Sequence, residues 1–121
     1  MDIQVYIDTR DLDSETKNEL TPKAHKDMSE WITQQSQNIS MISDANDEQE
    51  EADKLGMHIQ VKSAYKLKDV LNFLYALAKT YKCEFVIAQI QPDSDLAEDV
   101  CYFGYEEGRP DLFEIANYLS L

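Results

Sequence analysis

The chain has 121 residues and carries 24 acidic against 11 basic side chains, a formal net charge of −13. A field this negative repels DNA, RNA and anionic membranes and attracts basic proteins, so it argues against direct binding to nucleic acid or membrane. The length fits a single domain, 1–121, and an apolar fraction of 43% predicts a folded chain rather than a disordered one.

The first third of the chain predicts a strand followed by a helix. Residues 3–7 alternate between apolar and polar side chains, which is typical of a strand. An acidic stretch, 8–20, separates this strand from the helix. Thr21 offers a capping hydroxyl and Pro22 fits a first helical position, so the helix is predicted to begin there and to end near residues 35–37. Its apolar face consists of Ala24, Met28, Trp31 and Ile32.

The middle of the chain predicts two strands on either side of an acidic segment, and then a long helix. Residues 39–42 fit a short strand, whereas residues 44–54 lack apolar periodicity and indicate a loop or a solvated helical turn. Gly56 is expected to end that segment, and residues 57–61 alternate as in a strand. Residues 66–82 place seven apolar side chains on one helical stripe, which predicts an amphipathic helix. The stripe consists of Leu67, Val70, Leu71, Leu74, Leu77, Ala78 and Tyr81.

The last third predicts a hairpin and a short helix. Residues 85–88 form an apolar run typical of a strand covered on both faces, and residues 100–105 a second strand, with a loop of about eight residues between them. Cys101 would then lie opposite about residue 89 and Cys83 opposite about residue 107, so both thiols are expected to be free, reduced and mostly buried. Gly108 predicts a turn and Pro110 the opening of a helix, with Asp111 as part of its cap. Glu114 completes that cap, and the helix presents Leu112, Ile115, Ala116 and Leu119.

The predicted order is β-α-β-β-α-β followed by one more strand and helix. This is an α+β domain in which the first six elements match a ferredoxin-like arrangement, with an antiparallel sheet of order 4-1-3-2 and helices on one face. In that arrangement the loop at 44–54 and the loop after the fourth strand are expected to meet at one end of the sheet. If the second strand does not form, a smaller α/β sheet is the alternative.

The sequence lacks the patterns that most catalytic and cofactor sites need. His25 and His58 are isolated and fit surface or boundary positions. No serine lies in a G-x-S-x-G segment, and the three glycines form no phosphate-binding loop. The segment starting at Asp44 begins like a calcium loop but has Gln49 and Leu55 where that loop needs Gly and Glu. No enzymatic activity, metal or cofactor is therefore predicted.

Acidic residues are instead predicted to contact a protein partner. One set combines the two acidic loops: Asp44, Asp47, Glu48, Glu50, Glu51, Asp53, Asp93, Asp95, Glu98 and Asp99. The other set is Glu106 with Glu107, next to Tyr102, Phe103 and Tyr105, because exposed aromatic and charged side chains together anchor protein interfaces. The sequence does not decide whether the acidic loops or the second set form the interface.

In size, charge and mixed α/β character, the whole chain resembles the small immunity proteins of bacterial toxin systems, including contact-dependent growth inhibition. The resemblance rests on no motif, so it assigns no residue a role. It implies a bacterial, cytoplasmic protein that binds and neutralises a cognate toxin domain. A nuclease active site is basic because its substrate is phosphate, and an acidic surface can occlude it. The N-terminal residues fit a cytoplasmic location, since no basic segment precedes an apolar one there.

Three other functions are compatible with the same residues. The chain could mimic nucleic acid and block another DNA- or RNA-handling protein. It could be a small-molecule-binding or enzymatic domain, which a pocket lined by convergent polar groups would favour. It could also be a housekeeping domain whose acidity serves solubility alone.

Overall fold

The computed structural model describes residues 1–35, 38–42, 54–91, 93 and 96–119. Its strands are β1 (Asp2–Asp8), β2 (Ile39–Met41), β3 (Lys54–Gln60), β4 (Glu84–Ile90) and β5 (Ala97–Gly104). Its helices are α1 (Ser14–Thr33), α2 (Ala64–Tyr81) and α3 (Leu112–Tyr118), and a 3-10 turn, Thr9–Asp11, joins β1 to α1. Within these residues the elements follow the predicted order, and the short second strand forms.

The five strands make one antiparallel sheet in the order β2-β3-β1-β4-β5. The first four strands therefore have the predicted order 4-1-3-2, and β5 extends the sheet beside β4. The central strand β1 is buried on both faces, since the alternating Val5 and Tyr6 are 0% and 6% exposed. The α+β class is confirmed.

The main core lies between one face of the sheet and the helices α1, α2 and α3. On the sheet side it holds Ile3, Val5 and Ile7 from β1 and Phe85 and Ile87 from β4. Each helix contributes buried apolar side chains to this same cluster, as expected for an amphipathic stripe that faces the sheet. The helix-side set includes Leu20, Ala24, Met28, Leu67, Val70, Leu71, Leu74, Ile115 and Leu119. Helices on one face of the sheet are thus confirmed.

The opposite face of the sheet has a second, smaller apolar cluster. It contains Tyr6, Ile42 and Ala88, with Val86 packed against them. Lys54 lies over the Tyr6 ring at 4.9 Å, and its ammonium group donates a hydrogen bond of 3.1 Å to the amide oxygen of Gln4. The ammonium group thus satisfies a polar side chain on a strand that is buried on both faces.

The predicted start of the first helix is wrong. The helix α1 begins at Ser14, where the carboxylate of Asp13 accepts a 2.7 Å hydrogen bond from the backbone N–H of Thr16. This side chain satisfies one of the free N–H groups of the first turn, so the helix begins before the Thr21-Pro22 pair. Pro22 lies inside the helix, and the Thr21 hydroxyl oxygen is buried without a hydrogen-bond partner among the described residues.

Gly56 lies within β3 and does not end the preceding segment, contrary to the prediction. It pairs with Tyr6 across the sheet, and a Cβ at Gly56 would lie 2.1 Å from the Val5 carbonyl oxygen. The glycine is therefore required by close backbone approach, a role that sequence alone does not distinguish from a turn.

The predicted long helix, hairpin and C-terminal helix are confirmed with shifted boundaries. In the hairpin, Cys101 pairs with Ile87, and the carbonyl of Cys83 accepts a hydrogen bond from the N–H of Tyr105. Both cysteines are free; Cys83 is buried and Cys101 is half-buried. The cap at Asp111 also forms, with its carboxylate accepting from the N–H of Glu114, but Pro110 lies just before the cap rather than in the first turn.

The predicted meeting of the two acidic loops at one end of the sheet is wrong. Strand β3 begins at Lys54, which pairs with Asp8 at the C-terminal end of β1. Strand β4 ends near Gln89, which pairs with Ile3 at the N-terminal end of β1. The β2–β3 and β4–β5 connections therefore leave the sheet at opposite ends, since β3 and β4 both run antiparallel to β1.

Candidate functional site

The described residues form a cleft of about 360 Å³ at the C-terminal end of β1. Acidic side chains dominate its lining: Asp8, Asp11, Glu84, Glu106 and Glu107, with Lys82 as a cation beside them. Apolar side chains and the ring of Tyr102 complete the walls. We call these residues the acidic cleft.

The sheet topology brings the acidic cleft together from distant segments. Asp8 is the last residue of β1 and Glu84 is the first of β4, its antiparallel neighbour. Asp11 closes the 3-10 turn that follows β1. Glu106 and Glu107 lie in the turn after β5, which ends beside the start of β4 because Gly104 pairs with Glu84.

The carboxylate of Glu84 holds the turn that carries the two glutamates. Its two oxygens accept hydrogen bonds of 2.9 Å from the backbone N–H groups of Glu106 and Glu107. Gly104 and Gly108 close the same turn through two backbone hydrogen bonds, of 3.0 and 2.8 Å. The side chains of Glu106 and Glu107 are consequently exposed on a turn fixed at both ends.

On the opposite wall, Asp8 is held by Arg10. The guanidinium donates to both carboxylate oxygens, at 3.0 and 2.9 Å, and the backbone N–H of Arg10 donates a third bond. The side-chain hydrogen bonds from Arg10 hold the pKa of Asp8 below its ordinary value of 3.8, against the opposing effect of its partial burial. Asp8 is therefore ionised at neutral pH.

The thiol in the acidic cleft is not an activated nucleophile. Burial, with a smaller contribution from the charge of Glu84, raises the pKa of Cys83 to about 12. A thiol with such a pKa is protonated at neutral pH and reacts slowly. Among the described residues no group of three or more His, Cys, Asp or Glu is arranged to hold a metal ion. The five carboxylates that line the acidic cleft can attract cationic groups.

A groove of about 320 Å³ continues from the acidic cleft, with which it shares Tyr102 and Glu107. It runs between β5 and α3, and we call it the edge groove. Its polar lining is Glu107, Asp111, Glu114 and Arg109, and its other walls include Val100, Cys101, Ile115 and Tyr118. The Arg109 guanidinium lies 5.6 Å from the ring of Tyr75 on α2. The carboxylates of the edge groove make no salt bridge with any described residue.

The comparisons with known proteins add no relative. No protein family, no curated protein and no solved structure matches the chain. No described helix combines the length and the apolar composition that a membrane span requires.

The predicted contact residues that the structure describes divide between the two ends of the sheet. Glu106 and Glu107 line the acidic cleft, whereas Asp93 and Glu98 lie exposed at the opposite end. Asp99, also exposed, accepts a 3.2 Å hydrogen bond from the Tyr6 hydroxyl. Seven predicted residues lie outside the described part of the chain: Asp44, Asp47, Glu48, Glu50, Glu51, Asp53 and Asp95.

Two of the three aromatic side chains predicted beside Glu106 and Glu107 are exposed. Tyr102 and Tyr105 are 58% and 52% exposed next to the two glutamates. Phe103 is instead fully buried and stacks on Phe85, with ring centroids 5.3 Å apart. The alternation of a strand explains the difference, because Phe103 faces the helices when its neighbours do not.

Sequence reasoning misses Asp8, Asp11 and Glu84. A signal for two of them is present, since an order of 4-1-3-2 already places the end of the first strand beside the start of the fourth. Asp8 and Glu84 follow and precede apolar runs at those points. The bonds from Glu84 to the turn carry no such signal, because they depend on the register of the hairpin.

The two histidines do not come together. His25 lies on α1 beside Ser29, on the helix side of the sheet. His58 lies opposite Gln4, on the other face of the sheet from the buried Ile59, and its ring is 3.6 Å from the Asp2 carboxylate. They are separate boundary residues and contribute nothing to the acidic cleft.

Proposed function

We propose that this chain is a binding protein that captures a basic protein partner through the acidic cleft and the exposed tyrosines beside it. The observation that supports this most directly is the composition of the cleft, in which five carboxylates and one ammonium group line a single concave surface. The partner proposed is a toxin domain with nuclease activity, which this chain neutralises as an immunity protein does. Binding, rather than catalysis, is its role.

Charge and aromatic contacts serve different steps of this binding. Carboxylates at the rim of an interface accelerate encounter with a basic partner, and the effect weakens as salt increases. Large exposed aromatic side chains such as Tyr102 and Tyr105 contribute contact area that slows dissociation. A surface with both types of residue can therefore associate rapidly with a phosphate-binding site and dissociate from it slowly.

The first experiment identifies the partner and tests inhibition. The chain and a Glu106→Lys/Glu107→Lys variant serve as parallel baits, and proteins retained by the first alone are identified by mass spectrometry. A retained basic protein is then assayed for cleavage of DNA and RNA with and without this chain. The proposal expects loss of cleavage at equimolar chain, and undiminished cleavage in the presence of bound chain would refute it.

The second experiment locates the interface by comparing matched variants. Glu106→Gln/Glu107→Gln and Asp93→Asn/Glu98→Gln remove the same charge from opposite ends of the sheet. The first pair is expected to slow association about three- to tenfold at low salt and to flatten its salt dependence, whereas the second pair has a smaller effect. Equal slowing by both pairs would show that net charge, not the acidic cleft, steers the partner.

A further inference from the structure

The outer edge of β5 exposes backbone groups that can pair with another strand. The strand is the last one in the sheet, and within the described residues its outer edge is paired at Gly104 alone, through the two bonds to Gly108. Backbone N–H and C=O groups of an antiparallel strand point to alternate sides. The N–H and C=O of Tyr102, two residues before Gly104, are therefore directed outward.

The edge groove lies along this same outer edge. Cys101 and Tyr102 both line it, although neighbouring side chains in a strand project to opposite faces of the sheet. A space that touches both side chains must lie beside the strand rather than on either face. The edge groove is bounded on its far side by α3, through Ile115 and Tyr118. A sixth strand placed next to β5 would thus lie between β5 and α3.

The charge of the edge groove selects what can occupy it. Glu107, Asp111 and Glu114 face one cation, Arg109, which lies near the ring of Tyr75. A second copy of this chain would bring another acidic β5 edge, with Glu98 and Asp99, against these carboxylates. Like charges placed opposite each other destabilise a strand pair, so charge disfavours self-association here.

We infer that β5 binds an extended, basic segment of a partner protein by strand addition. The backbone of the segment pairs with the outer edge of β5, and lysine or arginine side chains at alternate positions enter the edge groove and contact Glu107 and Glu114. Main-chain pairing supplies a general contribution to affinity, and side-chain pockets supply specificity. The inference rests on the proposed function, since it describes how the basic partner is held.

The test uses a ten-residue peptide of alternating lysine and threonine and an analogue with every backbone nitrogen methylated. The two peptides carry the same charge, but the analogue has no N–H to pair with β5. Dissociation constants are measured by fluorescence anisotropy at low salt. The analogue is expected to bind at least about tenfold more weakly, and hydrogen exchange of the Tyr102 amide is expected to slow when the unmodified peptide is bound.

Matched variants separate the groove from general attraction. Glu107→Gln/Glu114→Gln is expected to weaken binding of the unmodified peptide about tenfold, whereas Glu19→Gln/Glu30→Gln, on the exposed side of α1, changes it less than about twofold. Equal affinity for both peptides overturns strand addition even if the glutamates matter, and then leaves the acidic binding function intact. No binding of the unmodified peptide also overturns the inference, while capture and inhibition of a nuclease test the proposed function separately.

Discussion

The two ends of the sheet are built differently. At the C-terminal end of β1, carboxylates are fixed by hydrogen bonds: Asp8 to Arg10, and Glu84 to the turn after β5. At the other end, Ser63 precedes α2 at the capping position but its side chain makes no capping bond, and Lys62, Lys66 and Lys68 are exposed around it. Fixed side chains lose less conformational entropy when a partner binds than free ones do. The side chains of Asp8 and Glu84 are therefore held in place at the acidic cleft.

The largest expected effect comes from Gly104, which ends β5 at the acidic cleft. A Cβ there would lie 2.6 Å from the Cys83 carbonyl oxygen and 2.7 Å from the Cα of Glu84. Gly104→Ala is expected to lower the free energy of unfolding by about 3 kcal/mol or more, because backbone atoms must move. Urea denaturation measures the change.

Gly108→Ala is the matched control for this substitution. Gly108 has a φ of +92°, but a Cβ added to it would meet no described atom within 4 Å. Its replacement should cost only about 1–2 kcal/mol of backbone strain. Similar losses of stability for both variants would mean that the close approach of β4 to Gly104 does not account for the effect of Gly104→Ala.

The next largest effect concerns Glu84. Glu84→Gln keeps one acceptor oxygen and loses the charge that strengthens both bonds to the turn, so a loss of about 1–2 kcal/mol is expected. Glu98→Gln is the control in the same hairpin, since Glu98 accepts a single exposed bond from the Gln91 side chain. Thermal unfolding should show a smaller decrease for the control. A larger decrease for Glu98→Gln would show that the bonds of Glu84 to the turn contribute less to stability than the single bond of Glu98.

A substitution at Lys82, in the acidic cleft, is expected to stabilise the fold rather than destabilise it. It follows α2 with a left-handed φ of 55°, a conformation that glycine adopts more readily. Lys82→Gly is expected to raise the free energy of unfolding by about 0.5–1 kcal/mol. Lys79→Gly, which removes the same charge from the last turn of α2, should lower it by about 1 kcal/mol. Chemical denaturation of both variants checks the signs.

The smallest expected effect is the pH dependence contributed by Asp8. Because the pKa of Asp8 is lowered in the folded protein, its carboxylate stabilises the fold above the ordinary value of 3.8. This contribution is lost as pH falls through the folded pKa. Asp8→Asn should therefore reduce stability by less than about 1 kcal/mol at pH 7 and by nothing below both pKa values. An undiminished difference at low pH would assign the effect to packing instead.

The elements that can be predicted from sequence are those set by apolar periodicity. The stripe on α2 and the alternation in β1 determine which faces are buried, and the order of elements then fixes the sheet. The start of α1 is harder to predict because both Asp13 and Thr21, the latter followed by Pro22, are residue types that commonly cap a helix. The Asp13 carboxylate reaches the Thr16 N–H, and the helix tolerates Pro22 in its interior.

The candidate site is harder to predict than the fold. Residue type alone indicates Glu106 and Glu107 as a contact surface, but it does not place the acidic loops at the correct ends of the strands. Strand direction decides that placement, and an antiparallel sheet of order 4-1-3-2 already specifies it, because the third and fourth strands both run opposite to the first. The partners of Glu84 depend on backbone register, which side-chain type does not specify.

Pro22 divides the longest helix of the described chain into two parts. Proline has no N–H, so the bond from residue 22 to the Asn18 carbonyl is missing from the ladder of α1. The turns before it are held by the Asp13 cap and by Leu20 in the core, whereas those after it carry Ala24 and Met28. Native-state hydrogen exchange should therefore resolve two opening units within this single helix, with residues 14–21 exchanging faster than residues 23–33.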